Sequence, residues 1–271
     1  MSLRLTLRSS PDVPMEADCL SPQRLAGMSL QTIERLPVFY GNRQTALADF
    51  FAVTGQTGDV LQLEGDLSRI KHIGAGMTGG EIRIEGNAGA HLGAEMAGGT
   101  IVVSGNAGDW VGPEMRGGRI IVRGNAGHMA GSAYRGSSIG MHGGEIIIHG
   151  NAQNEVGHGM RSGLIAIGGN CGDFPGVNML AGTVTIFGAA GIRAGAGMKR
   201  GTIVGMQPME MLPTFSLSCT YHPPFLPLYL HHLRKLGLPV AESHFTTAYQ
   251  RWCGDAVELN RGEILLPAPT S

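Results

Sequence analysis

From residue 77 to residue 205 the chain alternates short apolar bursts with glycine-rich corners, as in GGEIRIEGN, GGTIVVSGN and GGRIIVRGN. Each burst carries two apolar positions, two residues apart. The first holds Ile82, Ile101, Ile120, Ile146, Ile165, Val184 and Ile203; the second holds Ile84, Val103, Val122, Ile148, Ile167 and Ile186. Alternation by two places both on one face of a β-strand, where β-branched side chains pack well. The glycine that leads each strand recurs as Gly80, Gly99, Gly118, Gly144, Gly163, Gly182 and Gly201, in steps of 19, 19, 26, 19, 19 and 19 residues. Met77, Met96, Met115, Met141, Met160, Met179 and Met198 repeat the same steps. A unit with one strand and several corners cannot bury its apolar face alone, but it can if each unit stacks on the next. The pattern therefore predicts an all-β fold, a right-handed parallel β-helix of about seven 19-residue coils, ~4.8 Å apart and about 34 Å long in all.

Asn87, Asn106, Asn125, Asn151 and Asn170 follow the strands in Gly-Asn pairs. Asparagine tolerates left-handed backbone, and stacked amides can bond from coil to coil. The methionine column reads as packed core. The first coil is less regular, with Asp66 in the Asn position, and Gly205 replaces the second apolar residue of the last burst, which predicts that the regular stack ends there. In the third coil Gly131 is followed by seven extra residues, Ser132 to Ser138. An insertion in a solenoid is expected to project as a loop, with Tyr134 and Arg135 at its tip, offering either a partner contact or a plain surface excursion.

The flanks lack the repeat. Residues 1–55 are expected to form a small α/β N-terminal cap, with LRLTLR as a strand, a helix starting at Ser21-Pro22 and a second short helix near Ser29 to Arg35. Residues 56–206 would be the β-helix. Residues 207–271 are expected to be a helical C-terminal cap, with Phe225, Tyr229, Leu233 and Leu236 at helical spacing before Gly237 and Pro239. His231 and His232 are adjacent and so face different sides of that helix. Caps are needed because the ends of such a stack expose unpaired strand edges.

Composition narrows the chemistry. Glycine occurs 44 times in 271 residues, against a usual share of about 7%, yet Ile and Val thread the glycine-rich region and exclude both collagen and a flexible linker. Lys plus Arg is 20 and Asp plus Glu is 21, so the chain lacks the basic excess of a nucleic-acid-binding surface. No apolar run has the length of a membrane span and the N-terminus does not read as a signal peptide, so a cytoplasmic location with no membrane contact is expected. Cys19, Cys171, Cys219 and Cys253 are far apart and read as free thiols. No nucleotide-binding, nucleophile-elbow or zinc-hydrolase motif is present, so no catalytic residue is assigned. His142, His149 and His158 lie on neighbouring coils near Glu145 and Glu155, but nothing in their spacing makes them converge, and no metal site is assigned. The residue after each repeat Met is Thr78, Ala97, Arg116, His142, Arg161, Leu180 and Lys199, so the middle coils can raise a cationic line along one edge, to which Arg119, Arg123, Arg135, Arg193 and Arg200 add. Such a line suits an extended polyanion or an acidic neighbour; the other reading is a solvated edge that keeps the rod soluble.

The glycine coils, GAGMTGG among them, resemble the glycine-repeat C-terminal domain of the glutamate synthase large subunit. Together with the LTLR strand and the LPTF…YHPPFLPLYLHHLRKLG segment they are more similar to the C subunit of formylmethanofuran dehydrogenase and of its bacterial counterpart, the formyltransferase/hydrolase complex. The resemblance implies a structural, non-catalytic role. It also implies partners: an amidohydrolase-like subunit holding the catalytic metal, a formyltransferase subunit and a dehydrogenase-like B subunit. The formyl group would pass from tetrahydromethanopterin to a methanofuran-type carrier, whose acidic tail is a candidate ligand for Arg116, Arg161 and Lys199. Of the 20 basic residues only Lys71, Lys199 and Lys235 are lysine. That bias is typical of a GC-rich genome and favours the bacterial complex of one-carbon oxidation over the tungsten or molybdenum enzyme of methanogenesis. An independent β-helix carbohydrate-active enzyme would need secretion and clustered acids, neither of which is visible.

Overall fold

A computed structural model describes residues 2–269. The N-terminal flank supplies β1 (Leu3–Leu7), β2 (Met15–Glu16), α1 (Pro22–Leu25), α2 (Leu30–Glu34), β3 (Pro37–Tyr40), β4 (Arg43–Ala46) and β5 (Phe51–Thr54). The repeats supply β6 (Val60–Glu64), β7 (Ile70–Lys71), β8 (Thr78–Glu85), β9 (Gly98–Val103), β10 (Arg119–Val122), β11 (Glu145–Ile148), β12 (Leu164–Ile167), β13 (Thr183–Ile186) and β14 (Arg200–Gly205). The C-terminal flank adds β15 (Ser216–Tyr221), α3 (Leu226–Lys235), α4 (Ser243–Thr246), β16 (Tyr249–Gly254) and β17 (Arg261–Pro267).

The fold is mostly β. One sheet of 13 strands runs β15-β16-β17-β14-β13-β12-β11-β10-β9-β8-β6-β1-β5. From β1 through β17 its neighbours are parallel, and the two ends turn antiparallel at β5 and at β16 and β15. The register is one repeat per rung: Ile101 lies beside Ile120, Ile120 beside Ile146, and Ile146 beside Ile165. A second ladder of single bridges joins Leu67, Ala88, Ala107, Ala126, Ala152, Cys171 and Ala190 on another side of the coils. Inward-facing Ile and Val and the whole methionine column are buried.

The glycine and methionine columns prove to be one packing unit. A Cβ added to Gly118, at φ +84°, would lie 2.7 Å from Met96 Cε and 2.8 Å from the Gly99 carbonyl oxygen. The same relation pairs Met115 with Gly144, Met141 with Gly163, Met160 with Gly182 and Met179 with Gly201. Each thioether methyl occupies the space that the next coil's glycine leaves open.

Three sequence expectations need correction. Asn87, Asn106, Asn125, Asn151 and Asn170 are not left-handed; a left-handed non-glycine column is instead formed by His72, His91, Trp110, Met129, Glu155, Phe174 and Arg193. Their amides do bond from coil to coil, but onto backbone rather than onto one another: each Oδ1 accepts the backbone N–H of the next coil, as from Asn106 to Asn87 (2.9 Å) and from Asn125 to Asn106 (2.8 Å). The stack does not end at Gly205, because β14 pairs in parallel with β17, Ile203 beside Ile264. The C-terminal flank is helical only in part, since it also contributes three strands. α3 buries Leu226, Leu230 and Leu233 against Ile121, Ile147, Leu164 and Val204 on the sheet's outer face, with Phe225, Tyr229 and Leu236 at the margin. A signal for that cover was in the sequence: the outward position changes from Arg83 to Ile121 and Ile147.

Candidate functional site

Backbone hydrogen bonds from Arg116, His142, Arg161, Leu180 and Lys199 to the methionine carbonyls one coil back hold these residues in a column. Arg116 is exposed and donates to Glu95 at 3.2 Å. Lys199 lies 3.8 Å from Glu258. Arg161 and Arg200 are exposed with no ion pair among the described residues. The other cations do not extend the line freely. Arg119 donates to Glu145 at 2.7 Å, Arg123 meets His149 at 2.8 Å, and the Arg193 guanidinium sits 5.4 Å from the Phe174 ring centroid. Exposed pairs of this kind contribute little to stability and can exchange for a ligand carboxylate.

Beside the column, a groove of about 590 Å³ opens between α3 and the coil corners, lined by Glu145, Ser162, Leu164, Thr183, Tyr229 and His232 among others. Glu145 divides its carboxylate there, one oxygen on Arg119 and the other 2.8 Å from His232 Nε2. His231 leaves on another side and packs on Phe245, 4.6 Å between ring centroids.

The insertion does not project as a free loop. Ser132 and Ala133 are buried, and Ser132 Oγ donates to the Glu155 carbonyl at 2.7 Å. Tyr134 lies back over earlier coils, 5.5 Å from the His91 ring and 6.3 Å from Trp110, because these aromatic faces give it apolar cover. Its backbone N–H donates to Glu114 (3.1 Å) and its hydroxyl lies 3.0 Å from His91 Nδ1. Within the insertion Arg135, Gly136, Ser137 and Ser138 are exposed. Sequence reasoning missed the stack of His72, His91 and Trp110 that receives Tyr134, although all three stand in one 19-residue column.

Burial, reinforced by His72 and Lys71, pushes the His91 pKa down from 6.5 to about 4. The folded chain thus favours neutral His91, which can accept a hydrogen bond at Nδ1, whereas the imidazolium cannot. The folded pKa lies below the unfolded one, so this contribution is complete above pH 6.5 and is lost as pH falls toward about 4. The melting temperature of wild type is expected to fall more steeply across that window than that of His91→Asn. Identical slopes would contradict the assignment.

Burial also pushes the Cys171 thiol up to about 12 and that of Cys19 to about 11, so neither is poised as a thiolate nucleophile. Among the described residues no group of three or more His, Cys, Asp or Glu could hold a metal ion, and no helix is long and apolar enough to cross a membrane. His149 meets Arg123 at 2.8 Å and His158 meets Glu155 at 3.1 Å.

No protein-family model matches the chain. It is 43% identical over 88 residues to the C subunit of a tungsten-containing formylmethanofuran dehydrogenase 2 from Methanothermobacter marburgensis, covering 31% of this chain and 33% of that protein. It is 42% identical over 83 residues to the C subunit of a molybdenum-containing formylmethanofuran dehydrogenase 1 from Methanosarcina barkeri, covering 29% and 28%. These matches span about a third or less of the curated relatives' length. A chain of the formyltransferase/hydrolase complex FhcABCD from Methylorubrum extorquens, whose structure was solved in complex with methylofuran, superposes with a TM-score of 0.89. That likeness has 32% identity and covers 98% of this chain and all (100%) of the other.

Proposed function

The chain belongs to the family of the C subunits of formylmethanofuran dehydrogenase and the formyltransferase/hydrolase complex, and from that premise we propose that it is the structural, non-catalytic member of a formyltransferase/hydrolase complex. The observation that carries this reading is the end-to-end likeness to a chain of FhcABCD. In it, residues 56–206 are a right-handed parallel β-helix capped by 1–55 and 207–271, working in the cytoplasm. The rod gives a rigid surface to an amidohydrolase-like subunit that holds the catalytic metal, a formyltransferase subunit and a dehydrogenase-like B subunit. The complex takes a formyl group from formyl-tetrahydromethanopterin to a methanofuran-type carrier and releases it as formate. Tyr134, fixed by His91 and Glu114, presents the neighbouring Arg135 to a partner on a stiff base.

The carrier's acidic tail is assigned to the column of Arg116, Arg161 and Lys199. Arg161 has no ion pair among the described residues, and Arg116 and Lys199 hold their carboxylates only at exposed sites, so the donor set suits a polycarboxylate. Replacing Arg116 and Arg161 together by Ala is expected to weaken carrier binding by the assembled complex roughly tenfold, about 1.4 kcal/mol, while assembly survives. Unchanged affinity would remove the column from the carrier's path.

The curated relatives favour a second reading, the C subunit of a tungsten or molybdenum formylmethanofuran dehydrogenase. Purification from the native host decides. Co-elution with the three other subunits and formate release from formyl-tetrahydromethanopterin supports the first reading. Stoichiometric tungsten or molybdenum in the complex supports the second, and a chain that elutes alone overturns both.

A further inference from the structure

A pocket of about 440 Å³ lies where the insertion, the coil corners and the C-terminal segment meet, a volume usual for small-molecule sites. Its floor belongs to the column of residues that precede the repeat methionines. Earlier coils place Glu95 and Glu114 in that column, whereas the last three place Gly159, Asn178 and Gly197 there, all at positive φ. A Cβ on Gly159 would lie 3.3 Å from the Ser138 carbonyl oxygen, and one on Gly197 would lie 2.5 Å from Asn178 Oδ1. Side chains as large as those of Glu95 and Glu114 would fill this space, so the pocket exists because small residues return to the column where the insertion arrives.

Both walls are held in place. On the insertion side the Ser137 N–H donates to the Tyr134 carbonyl at 2.9 Å, and the Gly140 N–H to the Gly159 carbonyl at 2.8 Å. On the other side the buried Asp255 carboxylate accepts from Gly197 N–H at 2.9 Å and Val257 N–H at 3.1 Å, and the Glu258 N–H donates to the Asp255 carbonyl at 3.1 Å.

The polar groups inside have defined directions. Glu155 Oε2 lies 3.1 Å from His158 Nδ1 and accepts its proton, which leaves Nε2 of the neutral ring as an acceptor. Asn178 Nδ2 donates to that nitrogen at 3.4 Å, so the amide oxygen turns toward Gly197, where no donor meets it among the described residues. Lys199 Nζ lies 3.8 Å from Glu258 Oε2, within ion-pair range but beyond a hydrogen bond. An ammonium and a carboxylate thus stand side by side, neither of them saturated. Ile139 and Leu180 supply apolar sides. A lone anion on Lys199 would also face Glu258, and a lone cation on Glu258 would also face Lys199. A zwitterion meets neither penalty, because each of its charges finds the opposite one.

We propose that this pocket binds a free α-amino acid with an apolar side chain: the carboxylate on Lys199, the ammonium on Glu258 and Asn178 Oδ1, and the side chain between Ile139 and Leu180. Such a site binds whether or not other subunits are attached, so its failure leaves the proposed function standing. An acidic carrier tail competes for Lys199 alone, since its carboxylates have no free ammonium beside them.

Titration of the isolated full chain with L-leucine, followed by ligand-observed NMR, is expected to show saturable binding in the low-millimolar range. N-acetyl-L-leucine and L-leucinamide each lack one charge and are expected to bind at least about tenfold more weakly, the loss of one charged hydrogen bond. Lys199→Gln and Glu258→Gln should melt as wild type does, because both residues are exposed, yet weaken L-leucine by a similar factor. Arg116→Ala, earlier in the cationic column, should leave its affinity unchanged. Equal binding of N-acetyl-L-leucine would reveal a plain carboxylate site and overturn the proposal, as would equal binding of L-leucinamide or no saturable binding by the folded chain. A loss with Arg116→Ala equal to that with Lys199→Gln would move the ligand onto the column and out of this pocket.

Discussion

Gly118→Ala is expected to destabilise the protein by about 2–5 kcal/mol, seen as a lower denaturant midpoint. Two costs add. The backbone stands at φ +84°, where an L side chain loses ~1–2 kcal/mol. The new Cβ would also press on Met96 Cε and on the Gly99 carbonyl oxygen at 2.8 Å. The methyl can swing aside, but the carbonyl belongs to the coil-to-coil ladder and cannot, and such overpacking costs typically ~1–3 kcal/mol. By contrast Gly136→Ala shares the positive φ, at +92°, but has nothing within 4 Å of its new Cβ. It should therefore cost only the backbone part. Equal losses at the two sites would mean that coil spacing plays no role in selecting glycine.

Met141→Ala is expected to cost about 2–5 kcal/mol, the range for emptying a large buried side chain. Met141 is inaccessible, and its Cε fills the space beneath Gly163. The informative variant is the double one, Met141→Ala with Gly163→Ala. Because the new Cβ enters the vacated space, the pair should be less destabilising than the sum of the singles by at least ~0.5 kcal/mol. Strict additivity in urea unfolding would show that the two columns do not pack as a unit.

Much of the stack was legible in the chain because its determinants are local and repeated. Ile82, Ile101 and Ile120 announce strand, inward face and step at once. The interlock of Met and Gly was visible as two columns with a common step, but not as one contact, since spacing alone does not say which atoms meet. What stayed hidden depends on distant segments. β17 completes the ladder beyond β14 with the same motif, Gly262 beside Gly201 and packed on Met198, but it stands off the 19-residue step, and α3 covers Ile121 and Ile147 from far along the chain. The candidate sites divide in the same way. The cationic column followed from periodicity, whereas its partial neutralisation by Glu95 and Glu258 did not. Nor did the folding-back of Tyr134, because a side chain in an insertion takes its direction from whatever face lies within reach.

The parallel run from β1 to β17 has a further consequence for the chain's connectivity. Leu3 and Pro267 stand at the first and last parallel rungs, nine strand spacings apart, or about 43 Å at ~4.8 Å each. A circular permutant joining them would need a bridge of at least about a dozen extended residues laid along the outside of the stack. Reporter groups placed at the two ends would face neighbours at opposite poles of the molecule, and an assembly that gripped only one pole would be distinguished by which reporter it silenced.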